Sequence, residues 1–187
     1  MASTTFFTFP NFDGIELKSG CLQDSNGVNY PVVRFQDEKN ELLVTGVSGT
    51  YPNNSVIGSK LTFADVAANA GWGGAITGAA INVNNTVLAS DTLTLLLFND
   101  DISSAIANAG LLSALSLTDA ELDNYIGAIA LSNPVQFNGK TVFSNNVLNF
   151  KYVCQATSLY GLLVLSAASS RTLSSARIAI NLQINKS

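Results

Sequence analysis

The chain contains no histidine. Without an imidazole to take the proton from a nucleophile, Ser–His–Asp and Cys–His sites are excluded, as are the usual His-based zinc sites. Cysteine is almost as scarce: Cys21 and Cys154 are the only two among 187 residues, too few for a Cys₄ centre. They lie far apart in sequence and leave either one disulfide or two buried thiols. Free thiols are the expected state, because free cysteine is among the most buried residue types and nothing points to an oxidising compartment. Met1-Ala2-Ser3-Thr4 opens the chain with neither a basic n-region nor an apolar h-region, so synthesis in a cytoplasm is expected.

Charge is also sparse, at 12% of residues against roughly 25% in soluble domains. Asn, Ser and Thr carry the polar load instead, which suggests a surface partly covered by neighbouring subunits. The formal net charge is −4, and the nine basic residues are scattered from Lys18 to Lys186. No cluster could neutralise a run of phosphates, so no nucleic-acid partner is expected. Long apolar runs are missing as well. Tyr152–Ser170 is uncharged, but Gln155, Thr157, Ser158 and Gly161 interrupt it, and a membrane span needs about 20 predominantly apolar residues.

The remaining chemical motifs are incomplete. Gly58-Ser59-Lys60 lacks the preceding glycine of a phosphate loop. Gly71-Trp72-Gly73-Gly74 precedes a strand rather than a helix, which removes the phosphate-cradle logic. Its expected role is a tight bend with Trp72 as a packing anchor; a stacking platform for a sugar or base is the alternative. Asn99-Asp100-Asp101 offers hard oxygen donors without EF-hand spacing, so a turn or helix cap is expected. Asp119, Glu121 and Asp123 share one short helix rather than facing each other across a cleft. The sequons at Asn53 and Asn84 carry little weight without a secretory signal. No catalytic, cofactor-binding or metal-ligating residue is assigned, no cofactor is expected, and the chain is expected not to be an enzyme.

What is present is strand pattern. Most of the chain alternates or runs apolar in short segments, commonly of five to eight residues, between Gly, Asn, Asp, Pro and Ser clusters. They are Ile15–Leu22, Val28–Phe35, Leu42–Gly49, Gly58–Ala64, Ala75–Val83, Leu93–Phe98, Ile126–Leu131, Val135–Phe137, Thr141–Phe143, Val147–Cys154, Leu159–Ser166 and Ser175–Ile184. In the last, Ile178, Ile180, Leu182 and Ile184 share one face, the period-two mark of a half-buried strand. Asn138-Gly139 predicts a type I′ hairpin turn, since both residues tolerate positive φ. Asn26-Gly27 predicts a second hairpin.

One helix is well specified, near 118–125. Thr118 is an N-cap, Glu121 completes a capping box, Leu117 and Leu122 stand at staple positions, and Asp119 suits the positive end of the dipole. The helix should stop near Tyr125. Ile102–Leu115 is weakened by Gly110 and several Ser and Asn residues and is expected to be a loop with one helical turn. The fold class is therefore all-β, an antiparallel β-sandwich of jelly-roll type with one short capped helix. Residues 42–187 form the sandwich. Residues 1–41 form an N-terminal segment or arm, where Phe6, Phe7, Phe9 and Phe12 either pack on their own sandwich or insert into a neighbour.

An ordered set of motifs resembles a family of small virion proteins of tailed bacteriophages, the capsid-decoration or auxiliary structural proteins. The set comprises Tyr51, Gly58–Phe63, Gly71–Gly74, Leu93–Phe98 (TLTLLLF with Thr92), the Asx-rich 99–108, Asp119–Ile129, Ser158–Val164 (SLYGLLV) and the late strand Arg177–Gln183. It covers roughly residues 42–187. The resemblance implies a jelly-roll-like protein bound to the outside of a capsid, made in the host cytoplasm and located in the virion. Its partner would be the major capsid protein, and it would be a homo-oligomer, a trimer at a local three-fold being plausible. The alternative is a head-fibre base, a neck or tail accessory protein, or an adhesin-like binder.

Overall fold

The computed structural model describes residues 21–23, 29–31, 37–102, 106 and 108–186. The chain divides into two units, Met1–Phe35 and Gln36–Ser187. In the first, Cys21–Gln23 (β1) pairs antiparallel with Asn29–Pro31 (β2), Leu22 opposite Tyr30. This pairing brackets the expected Asn26-Gly27 turn, which lies outside the described residues together with Phe6, Phe7, Phe9 and Phe12.

Among its described residues the second unit has eleven strands and one α-helix. In chain order they are Asp37–Tyr51 (β3), Ser55–Val56 (β4), Leu61–Phe63 (β5), Gly73–Val83 (β6), Thr92–Phe98 (β7), Asp119–Asp123 (α1), Tyr125–Leu131 (β8), Val135–Phe137 (β9), Lys140–Asn145 (β10), Phe150–Val153 (β11), Leu159–Ser166 (β12) and Arg171–Lys186 (β13). One sheet runs β3-β13-β6-β10-β9, with β11 also on β6. The other runs β4-β12-β7-β8, with β5 also on β12. All the pairings are antiparallel.

The pairing is nested. The first long strand, β3, pairs with the last, β13. Inside them β4 and β5 pair with β12, then β6 with β10, and β7 with β8. A chain folded back on itself and wrapped so that successive pairs fall in alternate sheets is a jelly roll. The expected all-β sandwich is thus the observed fold.

The core lies between the sheets. Ile178, Ile180, Leu182 and Ile184 of β13 enter it, all essentially inaccessible, beside Ile81 and Val83 of β6 and Phe143 of β10. Leu93, Leu95 and Leu97 of β7 and Leu159, Leu163 and Leu165 of β12 meet them from the other sheet. Each such side chain contributes about 1.5–3 kcal/mol by leaving water.

Several strand limits differ from the sequence pattern for local reasons. The segment expected at Gly58–Ala64 is extended only over Leu61–Phe63, because Gly58 takes φ +79° and its N–H is captured by the Asn108 side chain. The segment expected at Val147–Cys154 is extended only over Phe150–Val153, since Asn145 Oδ1 accepts from Val147 N and turns the chain there. The last strand is longer than expected, because a register shift around Ser175 (φ +48°) lets pairing continue back to Arg171. The Asn138-Gly139 turn has φ of +44° and +75°, the two positive values its composition predicts.

Candidate functional site

The TLTLLLF strand separates its residues by parity. Leu93, Leu95 and Leu97 enter the main core, while Leu96 and Phe98 face outward and join a second cluster with Val56, Ile102 and Leu162. An unbroken apolar run is what a strand covered on both faces requires. The cover on this outer face is the segment between β7 and β8.

That segment is tied down at both ends of its crossing. At the start, Asn108 bonds to three residues of β3 and the β4–β5 loop: its Oδ1 accepts from Tyr51 Oη (2.7 Å) and from Gly58 N (2.7 Å), and its Nδ2 donates to Ser48 O (3.0 Å). The chain then pairs along β4, with Ala109 N to Val56 O, Val56 N to Gly110 O and Leu112 N to Asn54 O all at 2.7–2.8 Å. Leu112–Ala114 forms a single 3₁₀ turn, the helical turn expected within 102–115. At the end of the crossing the capping box is formed as expected. Glu121 N donates to Thr118 Oγ1 (3.2 Å), and Thr118 N donates to Glu121 Oε2 (2.8 Å). The helix ends at Asp123, and Tyr125 begins β8 with its ring edge-on to Phe98, centroids 5.5 Å apart.

Between these anchors an apolar groove of about 300 Å³ remains open. Its floor is Leu96 and Phe98, and one wall is Leu112, Leu115 and Leu117. Leu122 and Tyr125 form the other wall and are 54% and 44% exposed. The two residues at the staple positions, Leu117 and Leu122, therefore both line an open groove. Asp119 and Asp123 are exposed on α1, the one-turn helix that carries Leu122. Farther along, Lys60 pairs with Asp101 and lies 5.6 Å from the Tyr160 ring centroid. The groove has apolar walls and no nucleophile among its lining residues. It is suited to holding an apolar side chain.

The other sequence-singled residues do not converge on it. Asn99-Asp100 forms a bend, where a turn or helix cap was expected, with Asp100 Oδ1 accepting from Asp101 N (2.8 Å). Among the described residues no group of three or more His, Cys, Asp or Glu is placed to hold a metal, and no helix is long and apolar enough to cross a membrane. Trp72 corrects an expectation: it is 51% exposed and is no packing anchor. The bend is held by the backbone instead, through Gly71 N to Cys154 O (2.9 Å) and Cys154 N to Trp72 O (2.8 Å). Gly73 and Gly74 let this backbone press against neighbouring strands, since a Cβ there would fall 1.9 Å from Tyr152 O and 2.2 Å from Asn185 O.

Two buried polar groups have structural roles. Asp91 receives two bonds from Arg171, at 2.7 and 2.8 Å, and so clasps the start of β7 to the start of β13 across the two sheets. Cys154 is a free, fully buried thiol, and burial pushes its pKa up to about 11. It is therefore a poor nucleophile at neutral pH.

No protein-family model matches the chain, and no curated protein sequence does. Among solved structures, a chain of Desmodium yellow mottle tymovirus aligns over 95% of this chain and 94% of its own, at 12% identity and a TM-score of 0.27. A chain of Triatoma virus aligns over 79% of this chain and 63% of its own, at 10% identity and a TM-score of 0.30. A chain of the heated full particle of Israeli acute paralysis virus aligns over 98% and 89%, at 12% identity and a TM-score of 0.28. Overlaps at this level assign the chain to no family.

Proposed function

We propose that this chain is a structural component of a bacteriophage virion, an auxiliary decoration or cement protein on the capsid exterior that stabilises the major capsid lattice. The observation that supports this reading is where the ordered motifs fall. TLTLLLF is β7, SLYGLLV runs through β12, and the Asp119–Ile129 motif is the capped helix leading into β8. All are framework of a jelly roll, an architecture used by capsid and lectin domains among others, so the support from fold is analogy.

In mechanical terms, a folded sandwich would bridge adjacent major capsid subunits and bury apolar surface across their seams. At roughly 25 cal/mol per Å² of apolar area, less the cost of docking, each contact is modest. Many copies on one lattice make the reinforcement multivalent. The test is rupture of DNA-filled heads under heat or osmotic shock, with and without this protein. Heads lacking it are expected to burst at lower temperature, and an unchanged rupture profile would end the cement reading.

A further inference from the structure

A second surface on the chain matches the groove in both shape and charge. The β9–β10 hairpin places Phe137 directly opposite Lys140 and Val135 opposite Val142. Opposed residues of an antiparallel pair share a face. Their neighbours Thr141 and Phe143 are buried toward the core, so this face points outward. Phe137 is 60% exposed and Val135 51%. The row continues past Asn84, just beyond the end of β6, to Arg177 on β13, where Asn84 N donates to Arg177 O (3.1 Å). Lys140 and Arg177 are exposed and have no acidic partner among the described residues. The hairpin is thus an apolar knob with Lys140 opposite Phe137, and Arg177 lies two strands beyond β10 on β13. The groove is an apolar slot, and the one-turn helix that supplies its Leu122 also exposes Asp119 and Asp123. Its volume of about 300 Å³ exceeds the ~150 Å³ of a cavity that admits benzene, so a phenyl ring fits with room for a neighbour.

The two surfaces cannot meet within one molecule. The hairpin turn stands beside Val83, at the end where the 84–91 connection passes from β6 into β7. The groove is at Phe98, the opposite end of β7, and on the outer face of the other sheet. β7 has seven residues, which separates the ends by roughly 20 Å.

From this complementarity we infer that a second copy of this chain docks its β9–β10 hairpin in the groove, with Phe137 in the slot and Lys140 and Arg177 against Asp119 and Asp123. The contact joins unlike surfaces, so a docked pair keeps one free knob and one free groove. Such head-to-tail contacts build rings when the rotation closes and filaments when it does not. The inference stands independently of the virion assignment, since it concerns self-association alone.

Sedimentation velocity on the full chain tests it. The unmodified protein is expected to form oligomers that grow with concentration and dissociate at high salt. Phe137→Asp and Leu122→Asp, both at exposed positions, are each expected to remain folded by circular dichroism and to be monomeric at ten times the concentration that assembles the parent. Mixed one to one, they are expected to give a dimer and nothing larger, because one variant retains a groove and the other a knob. Lys140→Glu should weaken assembly at least tenfold, and adding Asp123→Lys should recover it. A parent that stays monomeric, variants that still assemble, or a mixture that stays monomeric would each overturn the proposal.

Discussion

Removing the Asn108 side chain should loosen the cover over the outer sheet face without touching the main core. Asn108→Ala deletes the three bonds to Tyr51, Gly58 and Ser48. The Tyr51 hydroxyl is left with a 3.3 Å contact to Ser48 O. At a net 0.5–1.5 kcal/mol per bond, with water replacing part of the loss at exposed Asn108, the cost is about 2 kcal/mol. Tyr51→Phe deletes the shared bond and the long contact to Ser48 O, and should cost about 1 kcal/mol. The double variant should cost less than the sum, because one bond is counted in both singles. Urea titration reads this as a midpoint about 1 M lower for Asn108→Ala, at a typical slope of roughly 2 kcal/mol per M.

The same pair has a pH signature. Burial raises the Tyr51 phenol pKa, and the bond to Asn108 offsets this only in part. The folded value therefore lies above the unfolded one near ~10. The stability linked to this group is complete below about pH 10 and is lost as pH rises from there through the folded value. Tyr51→Phe should lack that portion of the alkaline loss. An unchanged midpoint for Asn108→Ala, or fully additive variants, would refute the idea that this asparagine pins the cover.

Three further outcomes are expected. Gly73→Ala forces a Cβ against Tyr152 O and should cost about 3 kcal/mol as β11 is pushed from β6, measured by thermal melting. In a Cys21→Ser background Cys154 should resist iodoacetamide at pH 8 until urea unfolds the chain; rapid labelling of the native protein would contradict its burial. Thr118→Ala removes the cap and should cost about 1 kcal/mol. It should also raise hydrogen exchange in Asp119–Asp123 while leaving β13 unchanged.

Local chemistry is what the sequence displayed well. The Asn138-Gly139 turn and the Thr118–Glu121 capping box each involve residues within four positions, so their geometry follows from residue type alone. The row Ile178, Ile180, Leu182 and Ile184 in β13 was equally plain as a core face, whereas the burial of Ala179 and Asn181 on the opposite face was not. Nested pairing was not visible: β3 meets β13 across more than a hundred residues, and nothing in either strand names its partner. Trp72 was misjudged because two glycines and the backbone, not the indole, hold the bend.

The groove was half legible. Leu117 and Leu122 stood out as staple positions. That Leu112 and Leu115 join Leu96 and Phe98 depends on Asn108, whose three partners lie 50 to 60 residues away. The hairpin knob gave no signal beyond its turn. Val135 and Phe137 read as ordinary strand residues until the sheet order places them at an outer edge.

The most direct measurement of the proposed role is a cryo-electron microscopy map of purified virions, compared with particles lacking this chain. The account predicts that the difference density lies on the outer surface of the head, at symmetry-related positions bridging major capsid subunits in many copies. Density confined to the neck, the tail or the inside of the shell, or no difference at all, would contradict it.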